Sequence, residues 1–335
     1  MAEYRIATLG SHTALQILKG ARDEGFRNIC VCTPDRVKVY KSFNVADDII
    51  TIPSYKDFMK VEETLLQKNA ILIPHASFIE YIGTDAVDRL RVPYFGNKGI
   101  LAWESDREKQ RQWLQAAGLR LPKIFHNPED IDRPCIIKFY GAKGGRGYFI
   151  ASSEEDFRRK IAAHPTQRYV IQEYIVGVPM YIHYFQSPLD DELEIMSFDK
   201  RYESNVDSIG RISARDQASF TNVDPSYVVV GNVSMVLRES LLPEVIDMGE
   251  RVIRESRKLC KGGLFGPFCL ETVITPDQEF FTFEISARIV AGTNPFINGS
   301  PYTYLKYSEP MSTGRRIALE IKRALQQGRL KDVLG

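Results

Sequence analysis

The chain has 335 residues, with 44 Lys and Arg against 43 Asp and Glu, for a formal net charge of +1. That balance argues against nucleic-acid or anionic-membrane binding through broad electrostatics, which needs a surplus of positive charge. No apolar run reaches the about 20 residues of a membrane-spanning helix. The length suits two or three domains. The five cysteines form no Cys-x-x-Cys pair and predict reduced, buried thiols in a cytoplasmic protein.

The first hundred residues alternate. "YRIATL" reads as a strand, followed by a helix over 12–24 that ends at Gly25 as a left-handed cap. "NICVCT", "DDIITI" and "AILIP" are further strands, with a helix over 55–67 between the last two. This alternation predicts a parallel sheet with helices on both faces and ligands at the carboxyl ends of its strands. A polar helix over 103–117, capped by Gly118, is expected to link this domain to the next. "RPCIIKFYGAKGGRGYFIA" reads as strand, Gly-rich loop, strand, and Ser153 starts a helix with acidic residues in its first turn. "RYVIQEYIVGVPMYIHYF" gives two strands with a bend at Gly177, and "ELEIMSFDKRY" gives another. Helices are expected over 233–241 and 243–259, then paired strands "GLFGPFCLETVIT" and "EFFTFEISARI" turning at Pro276 and Asp277, then a final amphipathic helix over 312–327. The fold class is therefore an α/β parallel-sheet domain followed by a larger α+β region of strands and hairpins.

Several residues are placed where chemistry needs them. The loop Gly141–Gly147 carries Lys143 and Arg146 among glycines, which let backbone N–H groups approach an anion closely. It lacks the P-loop pattern, and a strand follows it, so it reads as a lid over phosphates. Lys138, in the apolar strand just before it, is costly to bury unpaired and would aim at phosphate oxygens. The extended backbone at Glu173, Tyr174 and Ile175 could pair with an adenine edge, and the Glu173 carboxylate could also accept from the adenine amine. Glu271 and Glu284 lie in apolar strands joined by a short turn. Cross-strand pairing would bring these carboxylates together, where they repel unless a cation or proton intervenes. Hard oxygen ligands suit Mg2+, and Arg288 lies four residues beyond Glu284. In the first domain, His12 stands at a helix mouth in "LGSHTALQ", and His75 and Ser77 follow another strand end in "IPHASFIEYIG". Two strand ends bearing His and Ser predict one polar site on a common rim.

Taken in order, Lys138, the loop Gly141–Gly147, the Glu173 hinge and the Glu271/Glu284 pair with Arg288 resemble the ATP-grasp superfamily, which implies ATP contacts at Lys143, Gly144, Gly145, Arg146 and Gly147. Within it, "GSHTALQILKGARDEGF", "GAKGGRGYF", "RYESN", "VVVGN" and "EISARIVAGTN" are similar to the archaeal formate-dependent ligases that formylate the purine precursor AICAR, the aminoimidazole carboxamide ribonucleotide. The resemblance implies an N-terminal pre-ATP-grasp domain over 1–98, a subdomain with the Gly-rich lid over 99–190 and a subdomain with the metal site over 191–335. It implies formate, ATP and AICAR as substrates, Mg2+ or Mn2+ as cofactor, and a cytoplasmic homo-oligomer. It also implies AICAR contacts at His12, Ser77 and Asn232, a nucleotide contact at Glu203 and metal ligands Glu271 and Glu284; a mechanism that fits these residues makes His12 and Arg288 the catalytic candidates. Two positions depart from the superfamily pattern. Ser286 stands where many members carry an Asn metal ligand, and "GVPMYI" lacks the usual ribose-binding Glu, a role left to Glu203. The alternatives are another carboxylate–amine ligase of the superfamily and a nucleotide-binding paralogue without turnover.

Overall fold

Apolar alternation and loop length sort the strands into three sheets in the computed structural model, which describes residues 3–139, 148–220 and 226–335. The first sheet is parallel, with order β3-β2-β1-β4, and comprises β1 (Arg5–Leu9), β2 (Asn28–Cys32), β3 (Asp48–Thr51) and β4 (Ala70–Leu72). Its central strands, β1 and β2, are almost continuously buried because helices cover both faces. One face packs Ile6 and Ile71 against Ile17 and Ala21 of helix Ala14–Asp23 and against Ile317, Ala318 and Ile321 of the final helix, Thr313–Gln326. The other face packs on Phe58, Leu65, Phe78 and Val87.

The chain's last helix thus closes its first domain. The crossing depends on two glycines: a Cβ at Gly20 would overlap the Arg315 backbone, and one at Gly314 would overlap the Gln16 carbonyl.

The second sheet is antiparallel, with order β5-β8-β6-β7. It contains β5 (Ile124–Phe125), β6 (Cys135–Phe139), β7 (Tyr148–Ala151) and β8 (Tyr169–Glu173), and its apolar face packs under Phe157 of helix Glu154–Ile161. The third sheet has order β11-β10-β9-β12-β13. It contains β9 (Val178–Ser187), β10 (Glu192–Glu203), β11 (Val229–Met235), β12 (Gly266–Ile274) and β13 (Phe280–Ser286), all antiparallel. One face buries Ile182, Tyr184, Phe198, Phe268, Leu270 and Ile285 beneath Val245, Met248 and Val252 of helix Leu242–Leu259 and Trp113 and Leu114 of helix Arg107–Ala116. Alternate residues therefore line the opposite face.

Two expectations are corrected. The segment over 233–241 is not a helix: its β-branched run extends "VVVGN" as edge strand β11, whose backbone bonds come from β10, and a short 3-10 turn, Glu239–Leu241, follows. The helix over 103–117 is two helices, Lys98–Glu104 and Arg107–Ala116, broken where the Asp106 carboxylate caps the second by accepting from Glu108 and Lys109. It is no free linker, because Trp113 is fully buried in the core of the third sheet. β9 pairs with both β10 and β12, so the break between the second and third sheets lies between Glu173 and Val178. Among the described residues, no helix is long and apolar enough to cross a membrane.

The Gly20 crossing is testable. Ala is intrinsically the better helix former by about 1 kcal/mol, but the atoms a Cβ would meet here are backbone and cannot swing aside. Gly20→Ala should therefore destabilise the protein by about 1–3 kcal/mol in urea unfolding. A stabilised variant would show that these helices do not pack at that distance.

Candidate active site

Register in the third sheet builds the site. Ser234, Asp199, Tyr181, Glu271 and Glu284 are successive cross-strand neighbours from β11 to β13, so one polar row crosses the face opposite the core. Arg201, two residues beyond Asp199, shares that face and sits opposite Asn232. Its guanidinium lies 3.9 Å from the Tyr181 ring centroid and donates to Glu271 over 2.5 Å. Glu271 is buried, whereas Glu284 opens into the cleft.

The expected carboxylate pairing is present. Protein surrounding Glu284, then the Glu271 charge, raises its pKa to about 7, against the pull of Arg201, Lys138 and Arg288. Lys138 reaches the same space from β6 of the second sheet. Its ammonium lies 5.6 Å from the Phe283 ring, and burial pushes its pKa down while Glu284 opposes that shift. Two carboxylates whose mutual repulsion a cation would relieve are a fitting donor pair for Mg2+ or Mn2+. Ser286 lies on the same strand, buried opposite Cys269.

The first domain meets this face at its strand ends. Ile289, five residues past Glu284, forms a parallel bridge with His75. His75 Nε2 donates to Leu9 O over 2.8 Å, and its ring stacks on His12 with centroids 5.5 Å apart. His12 takes the left-handed conformation (φ 54°), and its carbonyl accepts from Asn294 over 3.2 Å. Its ring is open to solvent in a crevice that otherwise desolvates it. That desolvation, then His75, Arg288 and Arg201, pushes its pKa down to about 3, so the imidazole is neutral near pH 7. Ser77 is buried and accepts from the Ser11 hydroxyl over 3.1 Å, completing the expected rim. Arg288 is paired with Glu104 at 2.8 Å, and its charge acts on His12, His75 and Glu284 together. It therefore lies between the rim and the carboxylates.

The nucleotide candidates sort differently. Glu203 is half-buried at the end of β10. Burial, then Asp207, raises its pKa to about 7 against Arg201 and Lys200. Beside it are Tyr148, whose ring is 5.3 Å from that of Tyr227, and Tyr174, which is hydrogen-bonded to Tyr227. The Glu173 carboxylate, expected as an adenine acceptor, is instead taken by the Lys123 N–H and by Arg133, each at 3.0 Å. The backbone N–H groups of Glu173 and Tyr174 are also engaged, donating to Lys123 O over 2.8 Å and Pro134 O over 2.9 Å. Lys143, Gly144, Gly145, Arg146 and Gly147 lie outside the described residues.

Sequence reasoning missed Arg201, Tyr181, Glu104, Tyr148 and Tyr227. For Tyr148 the signal was its place directly after the Gly-rich loop. Arg201 stands in the quoted "RYESN", but only cross-strand register reveals that it meets Glu271.

The carboxylate pair makes a stability prediction. With a folded-state pKa above the ordinary 4.5, Glu284 retains a proton that the unfolded chain has lost. Its contribution is complete below about pH 4.5 and disappears as pH rises through about 7. In metal-free protein, Glu284→Gln should flatten the decline in Tm across that window. A Tm–pH profile identical to the wild type would show that the pair is not coupled.

Comparison with known proteins bears on this geometry. A domain of unknown function (DUF1297) matches residues 151–335, and a protein of unknown function (DUF1246) matches residues 6–125. The chain is 57% identical to the 5-formaminoimidazole-4-carboxamide-1-(beta)-D-ribofuranosyl 5'-monophosphate synthetase of Pyrococcus horikoshii over 98% of this chain and 99% of that one. Its structure is similar to that of an IMP biosynthesis protein, PurP, from Thermococcus kodakaraensis, with a TM-score of 0.79 and 30% identity over 98% of this chain and all of the other. The ADP complex of an N5-carboxyaminoimidazole ribonucleotide synthetase shares the fold, with a TM-score of 0.66 at 14% identity over 94% of this chain and 75% of that one.

Proposed function

Since the chain belongs to the 5-formaminoimidazole-4-carboxamide ribonucleotide (FAICAR) synthetase family of ATP-grasp ligases, which form C–N bonds, we propose that it makes FAICAR from AICAR, formate and ATP. The observation that supports this reading is the Ile289–His75 bridge, which ties the segment following the Glu271/Glu284 pair to the strand end that carries His75 and Ser77. Phosphate chemistry and a nucleotide amine need a shared space.

Formate is too poor an electrophile to acylate a weakly basic aromatic amine. A formate oxygen takes the γ-phosphoryl group of ATP, giving formyl phosphate and ADP. The AICAR 5-amine then attacks the formyl carbon. The C–O bond to phosphate breaks, and the amine proton, acidic once the C–N bond forms, leaves with the phosphate. Transfer of this kind depends mainly on positioning and charge stabilisation. Lys138, Arg201 and Arg288 supply fixed positive charge around the reacting oxygens, and Lys143 and Arg146 would add to it from the Gly-rich loop. Glu271 and Glu284 would hold Mg2+, or Mn2+ in its place, which when bound neutralises phosphate charge. Glu203 and the tyrosines beside it suit the ATP ribose and base. A neutral His12 favours a role in orienting the aminoimidazole over one as cation for its phosphate or as a strong base. Formyl phosphate hydrolyses readily, so a closed lid would protect it.

Phosphate release from ATP should need formate and AICAR together. Release without either would remove this function. Glu284→Ala should lower kcat by at least about 100-fold with the fold retained, and a fully active variant would discard the metal assignment. His12→Ala should raise the KM for AICAR about 10-fold or more while leaving that for ATP within about 2-fold. Equal losses would point to a disturbed fold.

A further inference from the structure

Asn232 has a companion that the proposed chemistry leaves unused. Its Nδ2 donates to Asp199 Oδ2 over 2.7 Å, and the other oxygen of Asp199 accepts from His183 Nε2 over 2.6 Å. Asp199 and His183 are essentially fully buried, whereas Asn232 is half-exposed on the cleft face. The chain has no slack: a Cβ on Gly292 would overlap Asp199 Oδ1 and lie 2.8 Å from His183 Cε1. His183 Nδ1 is buried without a hydrogen-bond partner among the described residues, so the ring's one protein bond is the one to Asp199.

A carboxylate only accepts hydrogen bonds. It therefore fixes which way the Asn232 amide points: Nδ2 toward Asp199, and Oδ1 away from it. We propose that Asp199, clamped by His183 and Gly292, is a positioning residue that turns the Asn232 Oδ1 outward as an acceptor, which selects the carboxamide N–H2 of AICAR over a carboxylate at the same ring position. The inference rests on AICAR being the substrate. The 5-amine must stay free for attack, which leaves the carboxamide as the donor of the base. A ring carboxylate would place its oxygens against the Asn232 oxygen, with the Asp199 charge behind it. Such a clash of acceptors discriminates by repulsion as well as by a lost hydrogen bond.

The test compares binding of AICAR and its 4-carboxylate analogue by calorimetry, with folding checked by near-UV circular dichroism. Wild type should prefer AICAR by about 100-fold or more. Asp199→Asn is nearly isosteric and frees both amides to turn over, so the preference should fall at least 10-fold, with the analogue gaining affinity. Asn232→Asp alone sets two carboxylates side by side and should lose AICAR binding. Combining it with Asp199→Asn restores a donor facing an acceptor, and should recover AICAR binding and the preference. A merely structural role for Asp199 would give losses that add in the double variant. An Asp199→Asn preference equal to wild type, or additive losses, would overturn the inference alone. So would a wild type that binds both nucleotides equally. A wild type that binds neither would overturn the proposed function, and this inference with it.

Discussion

Two like charges held face to face organise this molecule. Glu271 and Glu284 are opposed by strand register, so their side chains leave the sheet from neighbouring positions on one face. The surrounding cations answer that repulsion from different elements: Arg201 from β10, Lys138 from the second sheet and Arg288 from just beyond β13. Each of these is itself costly to bury unpaired. The cluster is a balanced set in which removing one member exposes the charge of another. An anionic substrate with a divalent cation would enter this set without changing its overall logic.

The second constraint is that the rim of His12 and Ser77 must keep its distance from these carboxylates. A long loop could not hold that spacing. Here the residues after β13 run straight into the first domain. Ile289 bridges to His75, Thr293 and Asn294 accept from Gln16, and Asn294 also donates to the His12 carbonyl. Behind them, Gly20 and Gly314 let the first and last helices touch backbone to backbone. The strained φ of His12 is sustained by this over-determined surrounding. The same segment presses Gly292 onto Asp199 and His183, so the spacing of the domains and the orientation of Asn232 share one mechanical support.

Much of this was legible in the sequence. The alternation of the first hundred residues gave the parallel sheet, because central parallel strands must be apolar throughout. Glycines after a strand, carboxylates in apolar strands and His or Ser at strand ends are local signals, and they pointed to Lys138, Glu271, Glu284, His12 and Ser77. Elsewhere local signals misled. The valines at 229, 230 and 233 suit either a helix face or an edge strand, and only pairing with β10 decides between them. The Glu173 carboxylate looked available because its partners, Lys123 and Arg133, are far from it in the chain.

By itself, then, the sequence determined the classes of most elements, the edge strand β11 excepted, and the kind of chemistry, since both follow from residue type and short-range spacing. The tertiary structure decided the contacts. Arg201 reaches Glu271 across 70 positions, Asn232 reaches Asp199 across 33, and Arg288 is held by a glutamate on the helix Lys98–Glu104. Such pairs depend on strand register and domain closure, which are set by the burial of whole faces and leave no mark in the spacing of the residues they join.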